Sequence, residues 1–66
     1  MYRIELTKGS GWNPAVVEMH SVEKPVHLAE VEQMAQKLFA AAWRKPHGAN
    51  GYRIRDALGR VVKVGP

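Results

Sequence analysis

The sequence predicts a small α+β fold in which one amphipathic helix packs on one face of a small, mainly antiparallel four-stranded sheet, in chain order ββαββ. Three observations carry that expectation. Tyr2 to Thr7 alternates apolar and polar residues, Pro25 to Arg44 repeats apolar residues at helical spacing, and two β-rich runs flank Asp56-Ala57-Leu58-Gly59. The 66 residues form a single domain, 1–66, with no linker, repeat or low-complexity tract. A chain this short buries only about 60% of its unfolded surface, so its core is thin.

In the first strand Tyr2, Ile4 and Leu6 take one face and Arg3, Glu5 and Thr7 the other. The next segment, Ala15 to His20, reads two ways. Its paired valines favour a strand with Ala15, Val17 and Met19 toward the core and Val16, Glu18 and His20 outward. Asn13-Pro14 also suits a helix start, an N-cap followed by proline at the first helical position, so residues 14–20 as a short helix is the alternative. The strand is preferred, joined to the first through the Gly9-Ser10-Gly11 loop.

From Pro25 to Arg44, Leu28, Val31, Ala35, Leu38, Phe39 and Ala42 fall in one stripe, flanked by Met34 and Trp43. Glu30, Gln33, Lys37 and Arg44 lie opposite. Early acids and late bases complement the helix dipole. Lys45-Pro46 and Gly48 end the segment.

The last segment is a hairpin. Asp56 and Gly59 suit the first and fourth positions of a type I turn closed by a glycine bulge, with Gly59 at positive φ. That turn predicts Ile54 opposite Val62, Tyr52 opposite Val64, Arg53 opposite Lys63 and Arg55 opposite Val61. Placing the first strand between the second and third makes every neighbouring pair antiparallel, in the order 2-1-3-4.

Composition narrows the function classes. Ten Lys/Arg against six Asp/Glu give a net charge of +4, compatible with acidic partners or nucleic acid and with simple solubility. Without cysteine, disulfides and cysteine-ligated zinc are excluded. MYRIELTKGS has no signal-peptide pattern, and no apolar run approaches the ~20 residues that span a bilayer. The expectation is a complete, cytoplasmic protein with no membrane association.

Catalytic chemistry is thin. Ser10, Ser21 and Thr7 have no histidine placed as a base, because adjacent His20 and Ser21 would face opposite sides of a strand. His20, His27 and His47 are scattered; His27 and Glu30 can share a helix face but lack a third ligand. The Gly9-Ser10-Gly11 loop lacks the glycine–lysine signature of a phosphate cradle. No enzyme activity, cofactor or metal is expected.

The candidate binding face is the outward side of the sheet. It is predicted to carry the cations Arg3, Arg53, Arg55 and Lys63, together with Glu5, Thr7 and Val61, and Trp12 stands beside the first loop as a recognition anchor or a lid on the core. The leading expectation is a non-enzymatic interaction module, binding an acidic protein or forming a homodimer through its sheet edges. The alternative is weak, non-specific nucleic-acid binding by the basic face. Read as solvent-facing, Arg53 and Arg55 are expected to tolerate charge reversal without loss of fold.

Overall fold

The computed structural model of the chain describes residues 1–9, 14–42 and 48–65. The alternating first segment is β1 (Tyr2–Lys8), followed by β2 (Ala15–Val22), α1 (Leu28–Ala42), β3 (Gly51–Arg55) and β4 (Val61–Gly65). The strands make one antiparallel sheet in the order β2-β1-β3-β4, as expected, and α1 packs over the central strands β1 and β3. Residues 15–22 are extended, which decides for the strand over the short helix.

The helix begins at Leu28, the first residue of its apolar stripe and later than the expected start at Pro25. The His27 carbonyl accepts the first bonds, from the N–H groups of Glu30 at 3.0 Å and Val31 at 3.3 Å. Small side chains form the centre of its buried stripe: Val31 and Ala35 are fully buried and Ala42 nearly so. Leu28, Leu38 and Phe39 are half-buried at its margins, so the helix approaches the sheet through alanines and wedges itself with larger residues. Beneath it lie Ile4, Leu6, Tyr52 and Ile54, with Val22 and Ala49 completing the core. Trp43, Arg44 and Lys45 lie outside the described residues.

The final turn forms as its residues dictate. The Gly59 N–H donates to the Asp56 carbonyl at 3.0 Å, and Gly59 holds φ +81°. Asp56 Oδ1 accepts from the N–H groups of Leu58 and Arg60, each at 2.9 Å. Those backbone bonds hold the Asp56 carboxyl below its ordinary value.

Both edge strands depart from simple alternation. In β4 the pairing runs Arg55 with Val61, Ile54 with Lys63, Arg53 with Val64 and Tyr52 with Gly65. Val62 is therefore an extra residue, a bulge that reverses the faces of everything after it. Only the expected Arg55–Val61 pair survives; Lys63 moves to the helix side of the sheet and Val64 to the other. The Tyr52 side chain gives the physical reason. Its ring stacks at a tilt on Phe39, centroids 5.9 Å apart, and occupies the space that a Cβ at position 65 would need. Glycine is the residue that fits opposite it. Lys63, on its new face, reaches Glu32 of α1 at 3.9 Å.

The second strand differs in the same way. Tyr2 pairs with Val22, Ile4 with His20, Glu5 with Met19, Leu6 with Glu18 and Thr7 with Val16, leaving Val17 as the extra residue. Met19 thus faces away from the core and His20 and Glu18 face the helix side, opposite to the alternation expected from the sequence. Val22 decides this phase. It is the β2 residue buried in the core, and fixing it inward fixes every second residue behind it.

Candidate functional site on the outer sheet face

The sheet face away from α1 has an ionic centre. Pairing of Arg3 with Arg55 and of Glu5 with Arg53 places two adjacent pairs on β1 and β3. Opposed arginines repel unless an anion lies within reach, and Glu5 supplies it. Arg53 Nε donates to Glu5 Oε1, Arg55 Nε donates to the same oxygen at 2.9 Å, and Arg3 Nε lies 3.4 Å from Oε2. Arg55 Nη1 also donates to the Gly59 carbonyl at 2.6 Å, which ties the cluster to the final turn.

Glu5 is only 5% exposed although it points to the uncovered side of the sheet. Arg53 and Arg55, about a fifth and a quarter exposed, pack over it. Burial pushes the Glu5 carboxyl up, but the hydrogen bonds and charges of Arg53 and Arg55 outweigh it and hold the group ionised below its ordinary value. Arg3 is served less well. Its Nε is a buried donor without hydrogen-bond geometry to any acceptor among the described residues. Three guanidinium groups against one carboxylate leave two positive charges in excess at the centre of the face.

The margins of the same face are apolar. The row through Glu5 and Arg53 ends in Met19 on β2 and Val64 on β4, 56% and 68% exposed. The next row, through Arg3 and Arg55, ends in Ser21 and Val61, and Val16 lies beside Thr7. Val61 and Val16 are 44% and 41% exposed. The two bulges create this pattern by sending Met19 and Val64 outward.

Of the five residues read from the sequence as a binding face, three come together. Arg3, Arg53 and Arg55 share the Glu5 carboxylate. Lys63 is a correction: the β4 bulge puts it opposite Ile54 on the helix side. Trp12 lies outside the described residues. Of the apolar margins, the sequence places Val16 and Val61 outward as found, but its alternation directs Met19 and Val64 to the core. It also reads Arg53 and Arg55 as solvent-facing. Reversing both charges would surround a buried carboxylate with two more, which removes charge reversal as a fold-neutral change.

A concavity lies between α1 and β2, about 360 Å³ in volume, lined by Ile4, His20, Val22, Met34, Lys37 and Leu38. It exists because the helix covers β1 and β3 and stops short of the edge strand. The His20 ring nitrogen Nε2 sits 3.3 Å from Glu18 Oε2. Among the described residues no three His, Asp or Glu side chains converge as metal ligands would. No helix among the described residues is long and apolar enough to cross a membrane. No family model, no curated protein and no solved structure matches this chain, so the reading of its function rests on this geometry.

Proposed function

We propose that the chain is a non-enzymatic interaction module that docks a protein partner on the outer face of its sheet. One observation carries the reading: exposed Val16, Met19, Val61 and Val64 frame an ion cluster on a face that α1 does not cover. Four exposed apolar side chains around a charged centre on one uncovered face suit an interface, with a desolvated apolar contribution and charges that set orientation. The chemistry of the centre supports binding over catalysis. Glu5, held ionised by arginines, is a poor proton acceptor.

The test is paired affinity capture from cell extract with the parent protein and with Val61→Ser/Val64→Ser, whose side chains hold no core contact. Partners recovered by the parent and lost by the variant are expected. Identical recoveries would sink the reading.

Nucleic acid is the weaker alternative. With Lys63 on the other face and Glu5 neutralising one arginine, about two phosphates can be compensated, so the slope of log affinity against log salt would be about −2. Duplex DNA titrated at about 50 mM salt discriminates: saturable binding that survives Val61→Ser/Val64→Ser would favour this alternative.

A further inference from the structure

We infer that the partner segment for the outer face is an amphipathic helix carrying one carboxylate between two apolar residues, spaced Leu-x-x-x-Glu-x-x-x-Leu or equivalent. This rests on the reading of that face as a docking surface and adds the chemistry of what docks.

The row that crosses the sheet reads Met19, Glu5, Arg53, Val64. With neighbouring strands about 4.8 Å apart, its apolar ends lie roughly 14 Å from each other. An occupant must therefore place apolar groups that far apart with something polar between. A helix laid across the strands does so with residues four apart, whose rise of about 6 Å per step covers about 12 Å in two steps along one face. A helix also satisfies its own backbone groups, which an extended segment crossing the strands could not do.

Charge specifies the middle residue. The centre carries two positive charges in excess. Glu5 takes the Nε groups of Arg53 and Arg55, while the Nη groups of Arg3 and Arg53 donate to no acceptor among the described residues. Arg3 Nε, 3.4 Å from Glu5 Oε2, is a buried donor with no hydrogen bond among the described residues. A carboxylate arriving above Arg3 and Arg53 would receive charge-assisted bonds from forks already held in place, and those bonds strengthen as the flanking apolar contacts exclude water. A second copy of the same face is a poor occupant, because it would bring two cationic centres together.

The probes are three capped, alanine-based helical peptides with leucines eight residues apart and Glu, Gln or Lys midway. Each is titrated into the ¹⁵N-labelled protein, with the backbone amides of Met19 and Val64 and the arginine Nε–H signals followed. The Glu peptide is expected to shift these signals with at least tenfold tighter affinity than the Gln peptide, to weaken as salt is raised, and to lose most of its advantage over Gln in Arg3→Gln. The Lys peptide should shift nothing. Equal binding of the Glu and Gln peptides would overturn the carboxylate while leaving the docking face in place. No shift with any peptide would overturn both. Shifts confined to Met34, Lys37 and His20 would place binding in the groove beside α1 and overturn the assignment to this face.

Discussion

Across the inner face, one row from β2 to β4 reads His20, Ile4, Ile54, Lys63; across the outer face, the row beside it reads Met19, Glu5, Arg53, Val64. The same four strands thus present inverted patterns, an apolar centre with polar ends on one side and an ionic centre with apolar ends on the other. The inner pattern follows from its cover. One helix spans only the middle strands, so Ile4 and Ile54 are fully buried while His20 and Lys63 reach water, Lys63 toward Glu32. The outer pattern has no counterpart in the described chain that would account for its ends. That asymmetry makes the outer face the candidate site and the inner face the source of stability.

The largest effect should come from the inner centre. Ile54→Ala removes a fully buried side chain and should cost about 2–5 kcal/mol, much or all of the roughly 3–5 kcal/mol that a domain of this size has. Urea unfolding would read it, and a midpoint equal to the parent's would break the assignment of stability to this face.

Gly65→Ala probes the bulge that separates the two faces. Its Cβ would collide with the Tyr52 ring, at about 1–3 kcal/mol and with loss of near-ultraviolet dichroism from the Tyr52–Phe39 pair. An unperturbed spectrum would mean that the ring does not set the register.

Glu5→Gln tests whether the outer centre behaves as one unit. Leaving the arginines without their shared anion should cost about 1–3 kcal/mol in urea. A variant as stable as the parent would show three arginines each solvated separately. The same carboxylate gives a pH signature. Its value is lowered in the folded state, so the unfolded chain binds more protons once pH falls to the ordinary carboxylate range, and the stability present at neutral pH is lost as pH falls on through the folded value. Asp56, lowered too, adds to the loss. The acid dependence of the urea midpoint should be shallower in Glu5→Gln; equal dependence would remove Glu5 from the account.

The smallest effect sharpens the comparison most. Val64→Ser should change stability by no more than about 0.5 kcal/mol, since the side chain is 68% exposed. A large loss would mean that the apolar end of the row is part of the core.

The elements themselves were legible in the chain. Alternation in β1, helical spacing in α1 and the Asp56-to-Gly59 turn are local patterns, and each acts over a few neighbouring residues. Strand order followed as well, since placing β1 in the middle makes all pairs antiparallel. At the site, Arg3, Arg53 and Arg55 could be named because β1 and β3 keep simple alternation along their whole pairing. The tertiary structure decided the phases of β2 and β4 beyond their bulges, and with them the outward turn of Met19 and Val64 and the place of Lys63. An alternation pattern assumes an unbroken ladder, and one extra residue, Val17 or Val62, reverses every side chain beyond it. Nothing local distinguishes a bulged valine from a paired one. The choice is made by Tyr52 lying over Gly65 and by Val22 closing the core beneath a helix. The same holds for Glu5, whose burial depends on arginines 48 and 50 residues away that only the folded sheet brings to its side.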